Sequence, residues 1–226
     1  MMAAGCEERE AVKVAERPGG KFIVVTTAET PPYSYRDPQT GEVIGIEVDI
    51  VREAAAKLGR EVEYKILKFE YLLVAVKSGE ADLAVSGISI TEPRKRDVDF
   101  SVPYAYDGGR FLYRAGEAVP TMVLAETMRV GVLEATTYDF YLCAHGIDPV
   151  RFGSYNEMLK ALYENRIDAA FNDGVVLVSA AQESNGVLAV TNFETRENFG
   201  IAVRKELPEL RDALDEVILA RQEDGR

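Results

Sequence analysis

The stretch SGISITEPRKRDVDFS, residues 86–101, decides the fold of this chain. It overlaps the end of a short apolar run, residues 81–86, of the kind that forms a buried strand. Gly87 breaks the run, and Thr91 is placed to cap a helix whose first turn contains Arg94. A strand end, a glycine turn, the free N–H groups of a helix start and an arginine together favour an anion site. The alternative is a solvated Arg94 on a surface helix.

A diverged internal repeat surrounds this stretch. Residues 72–87 and 158–173 both indicate an amphipathic helix, a tight turn, an aspartate and a short buried strand that ends in a polar loop. Upstream, residues 22–27 and 128–133 match each other as opening strands. Alternating strands and helices predict an α/β fold with mostly parallel sheets.

The two copies of the repeat end in residues of opposite charge. Ligands of open α/β sheets bind beyond the carboxyl ends of the strands. In the first copy, Arg94 lies a few residues beyond that position. In the second copy, Asn172 and Asp173 occupy it. If the copies face each other, a guanidinium and a carboxylate approach one cleft, which suits a zwitterion. The alternative for Asp173 is a helix cap, and we interpret Asp82 and Asp168 as structural turn residues.

Composition argues against several classes of function. The chain has 226 residues, of which 47% are hydrophobic, and its net charge of −12 argues against nucleic acid or an anionic membrane as partner. Its single histidine, His145, leaves little from which to build a histidine metal site or a catalytic triad, so we expect no metal and no cofactor. No apolar run is long enough to span a membrane. We expect Cys143 to be an inert buried thiol in a helix.

Many weak motifs also occur together in the order that one known family shows, from about Lys21 to the C-terminus. They are Pro32-Tyr33-Ser34-Tyr35, residues 45–50, residues 72–86, the arginine stretch, residues 130–132, Thr136-Thr137, residues 167–173 and residues 200–205. On these motifs the chain resembles the amino-acid-binding family of bacterial solute-binding proteins, the extracytoplasmic receptors of polar amino acid ABC transporters. The resemblance implies a two-lobe, periplasmic-binding-protein-like (type II) α/β fold with the ligand in the interlobe cleft. It also implies a free amino acid and a membrane permease as partners, and we expect a monomer.

The resemblance assigns roles to residues of both copies. Arg94 falls on the position that grips the ligand carboxylate, and Asp173 falls on the position that grips the amino group. Gly87 and Ser89 fall on ligand positions of the arginine stretch.

Four further ligand positions follow from the same resemblance: Thr27, Phe69, Thr136 and Thr137. Thr136 and Thr137 match a Gly-Thr-Thr loop that touches the carboxylate, although Ala135 replaces the glycine. Phe69 matches a residue that packs on the ligand side chain, and its alternative is ordinary lobe core. Thr27 matches a residue that binds the ligand side chain, and Glu29 is a nearby substitute.

The family's architecture also implies boundaries. Lobe 1 is expected at residues 21–104 plus 201–226, lobe 2 at 109–196, and the hinge segments at 104–109 and 197–201. Gly108, Gly109 and Gly200 can absorb the dihedral changes of a hinge.

The N-terminal residues 1–20 are interpreted as a lipobox remnant followed by a polar tether. Ala3-Ala4-Gly5-Cys6 is similar to the end of a lipoprotein signal, in which the cysteine carries the lipid, although the preceding regions of a full signal peptide are not visible. We therefore expect an extracytoplasmic protein that is anchored through Cys6. The alternative is a chance match in a cytosolic protein.

Rival functions use the same fold. Cyclohexadienyl dehydratases share much of the motif set, but they carry a lysine and a catalytic glutamate where this chain has Gly109 and Val176. Because valine cannot act as a general acid, we expect no enzyme. An amino-acid-sensing domain of a receptor would use the same cleft. A module for simple anions is disfavoured by the pairing of Arg94 with Asp173.

Overall fold

The computed structural model describes residues 20–225, so the predicted lipid site at Cys6 lies outside the described residues. The strands are β1 (Lys21–Thr26), β2 (Glu29–Thr30), β3 (Ser34–Arg36), β4 (Val43–Ile44), β5 (Glu61–Ile66), β6 (Leu83–Ala84), β7 (Asp99–Phe100), β8 (Ala105–Asp107), β9 (Gly109–Arg114), β10 (Val130–Leu133), β11 (Val150–Phe152), β12 (Ala169–Asp173), β13 (Leu188–Val190), β14 (Glu197–Phe199) and β15 (Ala202–Val203). The helices are α1 (Ile46–Lys57), α2 (Phe69–Lys77), α3 (Glu92–Lys95), α4 (Met122–Ala125), α5 (Thr137–Ala144), α6 (Tyr155–Tyr163), α7 (Gly174–Glu183) and α8 (Pro208–Glu223). Within residues 20–225, none of these helices combines the length and the apolar character that crossing a membrane requires.

The first sheet has the strand order β5-β1-β6-β15-β7. β1 pairs in parallel with β5 and β6, whereas β15 runs antiparallel to β6 and β7. Side chains alternate along β1, so Phe22 and Val24 pack with α1 and α8 while Ile23 and Val25 pack with α2 on the opposite face. Helices therefore cover both faces of this sheet.

The second sheet repeats the arrangement with the order β11-β10-β12-β9-β13. β10 pairs in parallel with β11 and β12, and β9 runs antiparallel to β12 and β13. Ala170 of β12 packs with α6 and α7, whereas Phe171 packs with α5 on the other face. The α/β fold and its repeat are as predicted, but the sheets are mixed rather than mostly parallel because β15 and β9 run back beside the repeated strands.

Asp82 and Asp168 have the same structural role in the two copies. Asp82 accepts a hydrogen bond of 2.8 Å from the backbone N–H of Ile23, and Asp168 accepts one of 2.8 Å from that of Arg129. Asp82 thus links the turn before β6 to β1, and Asp168 links the turn before β12 to the start of β10. This agrees with their interpretation as structural turn residues.

Two short strands connect the sheets. The chain leaves the first sheet through β8, enters the second at β9, and returns through β14 to β15. β8 and β14 pair antiparallel, with Glu197 opposite Asp107. The first sheet is therefore discontinuous in sequence, while the lobe boundaries and the hinge motion remain predictions.

The glycines of these connections allow close packing. A Cβ on Gly108 would lie 1.9 Å from the carbonyl oxygen of Thr195, and a Cβ on Gly200 would lie 2.8 Å from the Ile90 side chain. The Thr195 backbone leaves no room for a larger residue at Gly108, whereas at Gly200 the Ile90 side chain would have to shift. Packing alone therefore accounts for Gly108, whether or not it also bends.

Cys143 departs from the prediction. It lies on α5 as expected, but its side chain is exposed. The reason is that Leu142 takes the fully buried position of this helical turn. The Arg151 guanidinium donates to the Cys143 sulfur at 3.1 Å.

Candidate functional site

A cavity of about 30 Å³ lies between the strand ends of the two sheets. It is lined by Thr27, Glu29, Thr30, Phe69, Ser86, Gly87, Ser89, Leu133, Thr136, Thr137, Tyr138, Gly153, Ser154, Tyr155, Asn172 and Asp173. Seven of the eight predicted ligand-binding residues are in this set, and the eighth, Arg94, stacks over the lining residue Phe69. The fold thus brings the predicted residues of both copies together.

Arg94 is positioned by the short helix α3. Thr91 caps this helix as predicted, since its side chain accepts a hydrogen bond of 3.4 Å from the Arg94 N–H. The guanidinium donates to the Ser89 carbonyl at 2.9 Å and lies 5.5 Å from the centre of the Phe69 ring. Burial lowers the pKa of Arg94, while the negative charges of Glu197 and Asp173 raise it. The cation is therefore held in place within a negative field.

Asp173 is positioned at the end of β12, with only 7% of its surface exposed. The Tyr138 hydroxyl donates to it at 2.7 Å. Burial raises the pKa of Asp173 well above its usual range; the Tyr138 bond opposes that shift, and the charges of Asp107, Glu197 and Glu47 add to it. A cation placed beside this carboxylate would stabilise its charged form and so offset both the cost of burial and the repulsion from the other acids.

The alternative role for Asp173, a helix cap, does not fit the geometry. Asp173 precedes α7, but its side chain makes no capping hydrogen bond. The start of α7 is instead bonded by Asp107 of β8, whose carboxylate accepts from the Val175 N–H at 2.9 Å. Sequence reasoning missed Asp107, which is distant in the chain and carries no local signal.

The backbone of the turn at Gly87 is hydrogen-bonded to a buried acid, Glu47. Gly87 has φ +61°, and a Cβ there would lie 3.7 Å from Asp173 Oδ2 and 3.4 Å from the Thr30 side chain. Glu47, which is fully buried, accepts from the N–H groups of Ser86 and Gly87 at 3.2 Å each. Burial raises the pKa of Glu47 to about 7. Its signal in the sequence is an acid on the apolar face of α1, beside Val48 and Val51.

Ser89 and Thr137 meet at one carboxylate that the sequence did not predict. Their hydroxyl oxygens, one from each copy, lie 3.4 Å apart. Thr137 donates to Glu197 Oε2 at 2.8 Å, and Ser89 donates to the same oxygen. Glu197 belongs to β14, in the segment that connects the sheets.

Thr136 lines the cavity, but its hydroxyl is already used. It caps α5 by accepting from the Asp139 N–H at 3.2 Å, and it donates to the Leu133 carbonyl at 2.8 Å. Ala135 has φ +62°, so this loop adopts the left-handed conformation that favours glycine even though it lacks one.

Polar groups form one wall of the cavity near the predicted side-chain position Thr27. The Thr27 and Ser86 hydroxyls lie 2.7 Å apart, and Thr30 lies 3.1 Å from Ser86. Across the cleft, Asn172 Oδ1 is buried and has no hydrogen-bond partner within the described part of the chain. One wall therefore offers hydroxyl groups, and the facing wall offers one free acceptor.

Glu29 bridges to the facing copy. Its carboxylate accepts from the Tyr155 N–H at 2.9 Å and from the Asn156 side-chain amide at 2.8 Å. Both donors lie in the first turn of α6, where a helix favours negative charge. Glu29 thus lines the cavity with its carboxylate engaged at a helix N-terminus.

Comparison with known proteins agrees with this geometry. The sequence profile of bacterial extracellular solute-binding proteins, family 3, matches residues 22–226. A probable histidine-binding protein of Neisseria gonorrhoeae is 32% identical, over 96% of this chain and 85% of its own length. The L-cystine-binding protein TcyJ of Escherichia coli K12 is 29% identical, over 94% of this chain and 81% of its own length. An ancestral arginine-binding protein bound to arginine superimposes with a TM-score of 0.82 at 29% identity, covering 91% of this chain and 94% of that one. The chain belongs to family 3 of the bacterial extracellular solute-binding proteins.

Proposed function

We propose that this protein binds a free polar amino acid in the cleft and delivers it to the membrane permease of an ABC transporter. The observation that supports it is the placement of two opposite charges at the cavity: Asp173 lines it, and Arg94, from the other copy, lies over the lining residue Phe69. The relatives named above are a probable histidine-binding protein, an L-cystine-binding protein and an arginine-binding protein, which supports an amino acid as the ligand.

The ligand would compensate both buried charges. Its carboxylate would pair with the Arg94 guanidinium, and its ammonium group would bind Asp173, whose carboxylate accepts from only the Tyr138 hydroxyl among residues 20–225. Charge-assisted hydrogen bonds of this kind are about twice as strong as neutral ones. The hydroxyl wall around Thr27 and the free acceptor of Asn172 would contact the ligand side chain.

Entry of the ligand requires the cleft to open. A volume of about 30 Å³ holds about two water molecules, which is less than any amino acid needs. We propose that residues 104–109 and 197–201 form the hinge and that the lobes close on the ligand. Small-angle scattering should show a smaller radius of gyration at saturation than without ligand, and an unchanged radius would contradict the hinge.

The test of function is a thermal-shift panel of the standard amino acids and L-cystine. At about 100 times Kd, a ligand adds about 2.7 kcal/mol to the free energy of unfolding, or roughly 5–10 °C in Tm for a chain of this size. We expect one or a few amino acids to produce this shift. A panel in which no amino acid raises Tm would contradict the proposal.

Anchoring through Cys6 is a separate proposal. It predicts that expression of the native gene yields a membrane-bound protein with a lipid-modified N-terminal peptide, since two or more acyl chains hold a protein stably at a membrane. Soluble, unmodified protein that behaves like the Cys6→Ala variant would remove the anchor and leave the binding function standing.

The dehydratase alternative gains no support from the site. Val176, which takes the place of the catalytic glutamate, is 1% exposed and packs in the core with α6. Gly109 is equally enclosed, since a Cβ there would lie 2.6 Å from the Phe171 ring. Neither position presents a proton donor to the cavity.

A further inference from the structure

The Glu197 carboxylate lies within the cleft, bound by groups that would suit any carboxylate. Two hydroxyl groups, Ser89 from one wall and Thr137 from the other, both donate to Glu197 Oε2. Arg94 donates to the Ser89 carbonyl at 2.9 Å, and although burial lowers its pKa, the charge of Glu197 opposes that shift. Two hydroxyl donors beside a guanidinium form a set of groups that suits a carboxylate, and the chain's own carboxylate fills it.

The same donors are those that a ligand carboxylate would need. Each hydroxyl has a single hydrogen to donate, so Ser89 and Thr137 cannot serve Glu197 and a ligand carboxylate at the same time. A second carboxylate beside Glu197 would also meet like-charge repulsion in a partly buried site. The amino acid and Glu197 are therefore alternatives at this position.

We propose that Glu197 is an affinity-setting residue: its carboxylate competes with the ligand carboxylate for Ser89 and Thr137 and must be displaced when the amino acid binds. This inference rests on the proposed function. Glu197 lies on β14 and is only partly buried, next to the exposed Asn198, so its side chain has a route to solvent. Displacement would also release the bonds that tie β14 to both walls of the cleft.

The test compares Glu197→Gln with wild type by calorimetry, using L-arginine, L-histidine, L-glutamine and L-cystine as probes. The substitution keeps the shape but removes the competing charge. Because a hydrogen bond to a charged group is worth on the order of tenfold in affinity, we expect the best probe to bind Glu197→Gln with a Kd roughly tenfold lower. The probe's α-carboxamide, which lacks the negative charge, should change by less than about threefold.

A matched control removes a charge three residues earlier in the chain. The Glu194 backbone bonds to Gly109 at 2.8 Å and to the Tyr141 hydroxyl at 3.4 Å, and its carboxylate is not part of the Ser89–Thr137 arrangement. Glu194→Gln should leave both affinities unchanged. Glu197→Ala, which removes the competing acceptor altogether, should also tighten binding, and melting curves would confirm that each variant is folded.

The outcomes separate this inference from the proposed function. Binding by wild type with tighter binding by Glu197→Gln supports both. Binding by wild type with equal or weaker binding by Glu197→Gln and Glu197→Ala overturns the competition and makes Glu197 a partner of the ligand ammonium or a structural residue. Absence of binding of every standard amino acid and of L-cystine, by wild type and by both variants, contradicts the proposed function, and the competition with it.

Discussion

The two walls of the cleft are built from equivalent elements with opposite chemistry. In the first copy, β6 has two residues and leads through an irregular segment to α3, a helix of four residues that carries a cation. In the second copy, β12 has five residues and leads directly into the ten-residue α7, with an anion at the junction. The same strand-to-helix unit has thus diverged to hold the two charges that a zwitterion needs.

The two charges are supported to different degrees. Arg94 has the Ser89 carbonyl and the Phe69 ring as partners, and two carboxylates that favour its charge. Within the part of the chain that the structure describes, the Asp173 side chain has one donor, Tyr138, and the charges of three acids oppose its own. The charge of the cationic wall is therefore partly compensated before any ligand binds, whereas compensation of the anionic wall depends on the ligand.

Removal of the cation should have the largest effect. Arg94→Ala would leave the ligand carboxylate without its charged partner, which costs roughly 2–5 kcal/mol, or about 30- to several-thousand-fold in affinity. Calorimetry with the best amino acid of the panel measures it. Arg96→Ala, on an exposed neighbour in the chain, serves as the control and should bind normally. A Kd for Arg94→Ala within threefold of wild type would contradict the carboxylate role.

Removal of the anionic charge should separate affinity from stability. Asp173→Asn should weaken binding by roughly 10- to 100-fold, because an ammonium loses its charged acceptor. Because the pKa of the folded carboxyl is raised, its contribution to stability is present below its ordinary pKa and is lost as the pH rises through the raised value. The variant lacks this loss, so its Tm without ligand should exceed that of wild type at pH 7.

Asp168 offers the contrast within the same copy. Its pKa is lowered, chiefly by the Arg129 side chain, so Asp168→Asn should lower Tm and leave affinity unchanged. If Asp173→Asn also melts lower and binds normally, Asp173 is a structural residue. The second wall would then not supply the charge that binds the ligand ammonium.

Glu47 is the buried acid behind the cationic wall, where it accepts from the N–H groups of Ser86 and Gly87. With a pKa of about 7 in the folded chain against an ordinary 4.5, it contributes stability below about pH 4.5 that is lost as the pH rises through 7. The loss amounts to about 3 kcal/mol for a fully buried group. Glu47→Gln should therefore flatten the fall in unfolding free energy between pH 4 and pH 8, as measured by urea titration. Asp49→Asn, an exposed change in the same turn, should keep the slope, and an equal slope for both variants would contradict this account.

The smallest expected effect concerns the loop at Ala135. Its φ of +62° is strained for alanine, so Ala135→Gly should raise the free energy of unfolding by about 0.5–1 kcal/mol. Ala56→Gly, within α1, should lower it by a similar amount because helical glycine is unfavourable. A lower Tm for Ala135→Gly would indicate that the loop is not strained.

The sequence predicted those parts that local pattern determines. The repeat of residues 72–87 and 158–173 indicated the fold class. Because ligands bind beyond strand ends, the same repeat predicted that Arg94 and Asp173 lie at one cleft. The antiparallel strands β9 and β15 were missed because they return from elsewhere in the chain and break the alternation. Cys143 was placed on the wrong face because α5 is apolar on more than one side.

The missed site residues share one property, which is distance along the chain from their partners. Glu47 bonds to Gly87 across 40 residues, Tyr138 bonds to Asp173 across 35, and Glu197 bonds to Ser89 across 108. Nothing in the sequence next to these residues identifies their partners, because the contacts form only in the folded chain. A buried acid on the apolar face of α1 was the one readable signal among them.

The most direct test of the central claim is the crystal structure of the protein with the amino acid that gives the largest thermal shift. We expect the α-carboxylate about 3 Å from the Arg94 guanidinium and the α-ammonium about 3 Å from the Asp173 carboxylate, with Glu197 withdrawn from Ser89 and Thr137. An amino acid bound in the reverse orientation, or outside the cavity between the two walls, would contradict it.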